Sequence, residues 1–311
     1  MHIAQVGTGR IGRPCVYSIM CAELADKITV CDTKPGLAAA FAEDLKHAAA
    51  SLNLDVEINA CDRDEEVNCA DVILVSAGEP RIPGVKMSRR DLAAKNAKTI
   101  KTVSLAVRSR NVDAKYIVIT NPVDAMAMIC KKYTKANFVI STGTNLESLR
   151  FRSRLAETLN VRQKQVEGWV GGEHGEASLP LWSTTKICGL PVEKYAVSCG
   201  KTLHKNEIDS YLKTVSRFIV DNVGGTEYGP AASFRDITRA IARNTNEVLS
   251  IASPIKFEDI SKPTFVGVPT HVGRSIGSSV YSDLSADEKE GLKQAAKAIY
   301  QTYKTAAKAV E

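Results

Sequence analysis

The stretch IAQVGTGRIG (residues 3–12) decides the fold, because it joins a short apolar run to a glycine-rich turn and the start of a helical pattern. Gly7, Gly9 and Gly12 form a GxGxxG pattern: the first glycine permits a tight turn, the second lets a pyrophosphate approach, and the third lets helix and strand pack closely. Asp32 ends the next apolar run, ITVCD, where a carboxylate accepts hydrogen bonds from both ribose hydroxyls. This order predicts a dinucleotide site, with a purely structural glycine turn as the alternative.

The charge of Asp32 indicates which dinucleotide is bound. A carboxylate at this position repels the 2′-phosphate of NADP and therefore favours NAD. Lys34 lies two residues further on and is interpreted as a surface lysine, although a lysine here could soften the preference. We predict NAD as the cofactor, with NADP used at lower preference.

The first half of the chain alternates short apolar runs with helical stretches. Continuous runs rich in Val and Ile are typical of strands buried on both faces of a parallel sheet. Five such runs are HIAQV, ITVCD, DVILVSAG, YIVITNP and FVISTGTN. The pattern predicts an α/β fold: a Rossmann-type doubly wound parallel sheet in residues 1–143, followed by an α+β substrate or catalytic domain in residues 144–311.

The second half is less regular. Helical patterns run from about Leu203 to Val223, from about Ala231 to Ile251 and from Ala286 to Val310. The sequence contains no repeat and no proline-rich linker, so we expect the two halves to share a broad interface.

Composition narrows the class of protein. The 311 residues carry a formal net charge of +6, with dispersed basic residues and no nucleic-acid-binding motif, so nucleic acid is not a predicted partner. No apolar run approaches the ~18 residues of a membrane span, and no targeting segment is visible, so we predict a cytoplasmic protein. The eight cysteines include no CxxC pair and are interpreted as free thiols.

A histidine and a basic loop are the candidates for chemistry. His174 lies in GGEHGE, and a histidine with a pKa near neutrality suits the proton transfer that accompanies hydride transfer to a carbonyl. A structural loop histidine is the alternative. The Gly- and Pro-rich segment 78–92 is typical of a lid that closes on an anion, or else of a solvated basic loop. Its four basic residues are Arg81, Lys86, Arg89 and Arg90.

Several motifs in fixed order carry a family resemblance. After the glycine turn and Asp32 they are DLKHAAA, PRIPG, MSRRDLAAKNA, TNPVDAM, LESLRFR, GGEHGE, GPAAS and FVGVPTHVG. In this order they resemble the lactate/malate dehydrogenase family over nearly the whole chain. The resemblance is closest to the lactate dehydrogenase-like malate dehydrogenases of archaea and many bacteria.

The resemblance implies a role for each matching residue. His174 corresponds to the proton donor and acceptor for the substrate oxygen, and Arg89 to the group that polarises the carbonyl. Arg150 corresponds to the arginine that forks onto the carboxylate beside the reacting carbon. Asn121 would hydrogen-bond the substrate oxygen and lie near the nicotinamide.

Arg81 occupies the position that, in this family, contacts the far end of the substrate. Arginine there implies a second carboxylate, so the resemblance predicts NAD-dependent interconversion of malate and oxaloacetate, with lactate or another 2-hydroxy acid as the alternative. The loop is two residues longer than the usual pattern, at Val85 and Lys86. Lys86 or Arg90 is therefore an alternative partner for the distal carboxylate.

Glu147 stands where the family has an aspartate that orients the histidine. We expect Glu147 to take that role, the alternative being a carboxylate that only begins a helix. Glu176 likewise replaces an aspartate, which we interpret as tolerated loop variation. Gly229 matches a position that lines the substrate pocket, or else is a turn glycine before Pro230.

The remaining predictions concern the cofactor, other classes and assembly. No metal is predicted, because Arg89 and His174 supply the electrophilic assistance. An NAD-dependent glycosidase, which binds metal through cysteine and histidine, and a non-catalytic NAD-binding module are the alternatives from other classes. The resemblance implies a homodimer or homotetramer, with residues 40–50 at one interface or else with their apolar face in the core. The full predicted cofactor-binding set is Gly7, Gly9, Arg10, Ile11, Gly12, Asp32, Ala77, Gly78, Asn96, Thr120 and Asn121.

Overall fold

A computed structural model describes residues 1–80 and 89–311, without the side chains of Arg89 and Arg90. The predicted lid and its residues Arg81 and Lys86 therefore lie outside the described part of the chain.

The first half alternates strands and helices, as the apolar pattern predicts, and it contains one strand more than the five predicted, at residues 57–61. The strands are β1 (His2–Val6), β2 (Lys27–Cys31), β3 (Glu57–Cys61), β4 (Val72–Val75), β5 (Lys115–Val118) and β6 (Val139–Ser141). The helices are α1 (Gly12–Cys21), α2 (Leu37–Leu52), α3 (Arg89–Arg108), α4 (Val123–Thr134) and α5 (Asn145–Leu159).

These six strands lie side by side in the order β3-β2-β1-β4-β5-β6, and every neighbouring pair is parallel. The predicted Rossmann-type doubly wound sheet is confirmed. The order reverses between β1 and β4, and in such sheets ligands bind outside the carboxyl ends of the strands at this reversal. The turns after β1 and β4 therefore meet at the edge where a site is expected.

The second half extends the same sheet with antiparallel strands. Its strands are β7 (Val166–Glu167), β8 (Val170–Gly172), β9 (Ser178–Pro180), β10 (Lys186–Ile187), β11 (Leu190–Pro191), β12 (Glu247–Ile255), β13 (Thr264–Val272) and β14 (Ile276–Ser279). Its helices are α6 (Val192–Ser198), α7 (Lys205–Val223), α8 (Tyr228–Arg243) and α9 (Ala286–Lys308). Strand β12 pairs antiparallel with β6 at Ser141, and β13, β8 and β9 follow outward. Strands β11, β10 and β7 form a separate small sheet.

The predicted helix from Ala231 to Ile251 is wrong in its last part. Helix α8 ends at Arg243, and Asn244 adopts a left-handed φ of 51° that stops it, as an asparagine often does after a helix. Residues from Glu247 onward form β12, which pairs with β13 along its whole length. The apolar residues of this segment suit a buried strand as well as a helix, so periodicity alone did not separate the two.

Helices cover both faces of the sheet. Helices α3, α4 and the C-terminal α9 pack together on one face, while α1 and α8 pack on the other. Both packings join a helix of the first half to one of the second, which confirms the expected broad interface. This close packing fixes the position of the second-half turns relative to the carboxyl edge of the parallel strands.

All eight cysteines lie in the described residues, and none of them forms a disulfide. Over the same residues, no helix combines the length and the apolar character needed to cross a membrane. Within residues 1–80 and 89–311, no group of three or more His, Cys, Asp or Glu side chains is placed to hold a metal ion.

Candidate active site

The glycine turn after β1 has the geometry that the GxGxxG pattern predicts. Gly7 has a φ of 92°, and a Cβ on Gly12 would lie 2.1 Å from the Gly7 oxygen, so neither position has room for a side chain. A Cβ on Gly9 would meet nothing within 4 Å. The turn is therefore closed on its protein side and open at Gly9, beside the start of α1, and helix N-termini commonly bind phosphate through their first N–H groups.

Asp32 lies at the end of β2 and is held in place by the glycine turn. Its Oδ2 accepts hydrogen bonds from the Thr8 N–H (2.8 Å) and the Thr8 hydroxyl (3.1 Å), and its Oδ1 accepts one from the Lys34 N–H (3.0 Å). Thr8 is fully buried, whereas Asp32 stays half-exposed. The carboxylate of Asp32 is thus oriented by the protein and still faces solvent. The sequence did not predict the role of Thr8, because the second position of the glycine pattern accepts any residue.

The turns after β4 and β5 are braced by Asn96. Its side-chain oxygen accepts the Glu79 N–H at 2.7 Å, and its nitrogen donates to the Asn121 carbonyl at 2.7 Å. Thr120 donates to the Ala77 carbonyl at 2.7 Å, and both Thr120 and Asn96 close over Gly78. The predicted contacts Ala77, Gly78, Asn96, Thr120 and Asn121 therefore cluster, although the Asn96 side chain is committed to the backbone. Asn121 itself is exposed.

Arg10, predicted to contact cofactor, reaches across to the second half of the chain. Its guanidinium donates to the Gly224 carbonyl, and its Nε lies 3.6 Å from Oε1 of Glu227. The neighbouring Ile11 is half-buried against the apolar core. Arg10 thus links the glycine turn to the loop between α7 and α8.

The side chains of His174 and Glu147 lie close together, although the two residues belong to different elements. Glu147 lies in the first turn of α5, and His174 follows β8 in the turn that begins at Gly172. Oε1 of Glu147 is 3.0 Å from Nδ1 of His174, and the Glu147 side chain is only 8% exposed. The Nδ1–H direction is not aligned with Oε1, and neither Nδ1 nor Oε2 of Glu147 has an aligned hydrogen-bond partner among the described residues.

Charge rather than burial decides the protonation of this pair. Burial alone would lower the pKa of His174, but the negative charge of Glu147 outweighs it and raises that pKa above its ordinary value. Burial would conversely raise the pKa of Glu147, yet the nearby His174 and Arg150 lower it. The arrangement favours an ionised Glu147 beside a histidine that holds its proton more tightly than usual.

Arg150 lies one helical turn after Glu147 on α5, with NH1 3.7 Å from Oε1 of Glu147. Its side chain is only 11% exposed. A guanidinium so little exposed, beside a single carboxylate oxygen, retains donors for a second anion. The structure therefore brings together three predicted residues, His174, Glu147 and Arg150.

A cavity of about 860 Å³ adjoins this cluster between α5, α7 and the α7–α8 loop. Arg150, Thr226, Tyr228 and Gly229 are among its lining residues, and His174 is not. A Cβ on Gly229 would approach Leu146 at 3.2 Å. Gly229 lies in the first turn of α8 and contributes to the wall of this cavity. Thr226 also lines the cavity, although the sequence analysis did not predict it.

Asp124 is a buried acid of this region that motif reasoning did not single out. It lies within TNPVDAM, at the start of α4, and its Oδ2 accepts the backbone N–H of His174 at 3.0 Å. An acid inside the TNPVDAM motif could have drawn attention to Asp124. Its contact with His174 could not be predicted, because no spacing pattern connects residues 124 and 174.

Comparison with known proteins identifies the family. A family model described as lactate/malate dehydrogenase, NAD binding domain, matches residues 1–138. A second, lactate/malate dehydrogenase, alpha/beta C-terminal domain, matches residues 144–310. The chain belongs to the lactate/malate dehydrogenase family. The predicted resemblance is confirmed.

Individual members of the lactate/malate dehydrogenase family match along their full length. The chain is 37% identical to a malate dehydrogenase of Sulfolobus acidocaldarius, over 100% of this chain and 98% of that protein. It is 38% identical to one of Sulfurisphaera tokodaii, over 99% and 97%. An L-lactate dehydrogenase of Thermoanaerobacter sp. is 30% identical, over 96% of each chain.

Solved structures agree on the fold of the family. A lactate dehydrogenase enzyme from a Medee basin deep-sea metagenome library superposes with a TM-score of 0.92 over 98% of each chain, at 23% identity, a likeness that shows the fold alone. The minor L-lactate dehydrogenase from Enterococcus mundtii gives a TM-score of 0.91 at 26% identity, again over 98% of each chain.

Proposed function

We propose that this chain is an NAD-dependent malate dehydrogenase that interconverts oxaloacetate and malate. The observation that carries the proposal is the close approach of Glu147 to His174 beside the nearly buried Arg150. This cluster pairs an acid/base with an anion-binding group, which is what a 2-oxo acid needs at its carbonyl and at the adjacent carboxylate.

NAD fits the edge of the parallel sheet. The open side of Gly9 and the first amides of α1 suit the pyrophosphate, and the oriented Asp32 suits the adenosine ribose. Ala77, Gly78 and Asn121 would border the nicotinamide side. When bound, the reduced cofactor supplies a hydride to the carbonyl carbon. Asp32 also favours NAD over NADP, since it would repel a 2′-phosphate.

His174 would provide the proton. With Nδ1 lying 3.0 Å from Oε1 of Glu147, Nε2 is the ring atom that can give its proton to the carbonyl oxygen of oxaloacetate. Glu147 stabilises the protonated ring and so holds that proton until the oxygen becomes basic. In malate oxidation, the neutral ring takes the hydroxyl proton back at the same atom.

Arg150 would hold the carboxylate beside the reacting carbon by two parallel hydrogen bonds. Asn121, exposed at the end of β5, would donate to the substrate oxygen. Gly229 would form part of the pocket wall. Arg89 is the proposed group that polarises the carbonyl, and its side chain lies outside the described residues.

The choice of malate over lactate rests on Arg81 and on the relatives. Arg81 lies outside the described residues, and we propose that it, or Lys86 or Arg90 of the same loop, pairs with the distal carboxylate. Two relatives at 37% and 38% identity are malate dehydrogenases, whereas the lactate dehydrogenase of Thermoanaerobacter sp. is 30% identical. A lactate-type substrate is the second candidate, supported by the shared catalytic cluster.

The halves 1–143 and 144–311 are proposed as cofactor and catalytic domains, supported by the change from parallel to antiparallel pairing after β6. We also propose a cytoplasmic homodimer or homotetramer. Size-exclusion chromatography with light scattering tests the assembly.

His174→Asn tests the dehydrogenase chemistry directly. The variant should bind NADH with the affinity of the parent, measured by fluorescence titration, but reduce oxaloacetate about 10²- to 10⁴-fold more slowly, the contribution of general acid catalysis. A variant that retains the parent rate would exclude His174 as the proton donor.

A further inference from the structure

Asp124 is a buried carboxylate whose two oxygens are both engaged. Oδ2 accepts the His174 backbone N–H at 3.0 Å, and Oδ1 accepts the Ser141 hydroxyl at 2.6 Å. The Ser141 oxygen in turn accepts the Gly143 N–H at 3.1 Å. Asp124 is only 3% exposed, and Ser141 is fully buried. A continuous set of hydrogen bonds therefore runs from the end of β6 through α4 to the turn that carries His174.

This set of bonds matters because the ring of His174 is not firmly aligned by Glu147. The Nδ1–Oε1 distance is 3.0 Å, but the N–H direction is off the line between the two atoms. The short contact between Glu147 and His174 therefore holds the ring in place only if the backbone of His174 is also held in place. The bond from the His174 N–H to Asp124 supplies that restraint, and it comes from a different helix than Glu147.

We propose that Asp124 is a positioning residue for His174: its ionised carboxylate holds the backbone of the His174 turn and places a second negative charge near the ring. This inference rests on the proposed function of His174 as the acid/base. Charge-assisted hydrogen bonds are stronger than neutral ones, so the ionised form of Asp124 is the form that holds His174 in position.

The charges around Asp124 and His174 set the pH range of this restraint. Burial raises the pKa of Asp124 to about 6, against the opposing effects of the Ser141 hydroxyl and of the His174 N–H and ring, while Glu173 raises it further. His174 faces Glu147 and Asp124, which raise its pKa, and Arg150, which lowers it. As the pH falls through about 6, Asp124 takes up a proton and the restraint weakens.

Two substitutions separate the charge from the hydrogen bond. Asp124→Asn keeps an acceptor for the His174 N–H but removes the charge, so the pKa of His174 should fall by at least about half a unit. Its kcat for oxaloacetate reduction should fall about tenfold, because a neutral bond replaces a charge-assisted one. Asp124→Ala removes both and should lower kcat about a hundredfold, the scale expected for a displaced catalytic group.

The pKa of His174 is measured on the free protein by NMR with labelled histidine, with His174→Asn to assign the signal. Glu288→Gln is the matched control, since Glu288 is also a buried carboxylate that accepts a backbone N–H, from Ser183, at 2.9 Å. It should leave the pKa of His174 and kcat unchanged. Because the NMR titration needs no turnover, inactivity of the parent protein toward 2-oxo acids would overturn the proposed function without deciding the role of Asp124.

An Asp124→Asn variant with the parent's histidine pKa and kcat would overturn the proposal. If that variant fails to fold, Ser141→Ala replaces it, because loss of the hydroxyl donor raises the pKa of Asp124 further. The acid-side fall in kcat should then move to higher pH. An acid limb that does not move would count against the positioning role.

Discussion

A single oxygen of Glu147 lies 3.0 Å from Nδ1 of His174 and 3.7 Å from NH1 of Arg150. The acid/base and the anion-binding group of the proposed reaction are therefore coupled through one nearly buried carboxylate. Its negative charge stabilises the protonated ring and also limits the net positive charge of the cluster before substrate arrives. A substrate carboxylate would approach Arg150 from the side that Glu147 leaves open.

Glu147→Gln removes that charge while keeping the shape of the side chain. We expect kcat for oxaloacetate reduction to fall about 10³-fold or more, as when the acid of a comparable His–acid pair is replaced by its amide. Glu147→Asp is the matched variant and should stay within about tenfold of the parent, because the charge remains. Steady-state kinetics with NADH and oxaloacetate measure kcat for both variants and the parent. A Glu147→Gln variant as active as the parent would refute the orienting role.

The raised pKa of His174 predicts opposite pH profiles for the two directions of reaction. Oxaloacetate reduction needs the protonated ring, so kcat/KM should be highest between the acid-side fall set by Asp124 and the pKa of His174, and it should fall as the pH rises through the pKa of His174. Malate oxidation needs the neutral ring and should rise over the same range. Because Glu147 raises the pKa, the midpoint should lie above the ordinary histidine value of about 6.5.

Initial rates measured from about pH 5 to about pH 9 locate that midpoint, and Glu147→Gln should move it to lower pH. A parent midpoint below the ordinary histidine value of about 6.5 would contradict the assignment of the profile to a His174 whose pKa Glu147 raises.

Arg150→Lys keeps the positive charge but loses the fork of parallel donors. We expect kcat/KM for oxaloacetate to fall by about 10²-fold, the effect of losing roughly 3 kcal/mol of charge-assisted hydrogen bonding. Arg154→Lys, on the same helix in a partly exposed pair with Glu157, is the control and should change kcat/KM by less than about twofold. Equal effects of the two substitutions would show that Arg150 does not bind the substrate.

Because Arg10 contacts Glu227, we predict that the α7–α8 loop and the cofactor compete for the guanidinium of Arg10. Arg10→Ala should weaken NADH binding severalfold if Arg10 meets the pyrophosphate. Glu227→Gln removes the ion pair and leaves Arg10 only its bond to the Gly224 carbonyl, so the affinity for NADH should stay equal or rise up to about fivefold, the scale of an exposed ion pair. Fluorescence titration measures both. Weakening by Glu227→Gln to the same degree as by Arg10→Ala would mean that the contact supports cofactor binding instead.

The elements near the glycine turn could be predicted from the sequence because their chemistry is local. Gly7, Gly12 and Asp32 lie within one βαβ unit, so spacing alone fixes their relation. The same is true of Glu147 and Arg150, which share one face of α5 at a separation of three residues. Local periodicity failed where one pattern fits both a helix and a strand, as at residues 247–251, which were predicted as helix and form the first part of β12.

Long-range partners could not be predicted in this way. The bond from His174 to Asp124 joins residues 50 positions apart, and it exists because α4 and the turn after β8 pack at one sheet edge. Family resemblance connected His174 with Glu147 but was silent on Asp124 and on Thr8. The contact of Arg10 with Glu227 depends likewise on how the α7–α8 loop lies across the glycine turn.

The most direct test of the account is the rate of NADH oxidation by the purified protein with oxaloacetate and, separately, with pyruvate. We predict a kcat/KM for oxaloacetate at least about a hundredfold higher, because pyruvate would leave the arginine for the distal carboxylate desolvated and unpaired. NADPH should support the better substrate less well than NADH, owing to Asp32. A preference for pyruvate would contradict the account and assign the chain to lactate-type substrates.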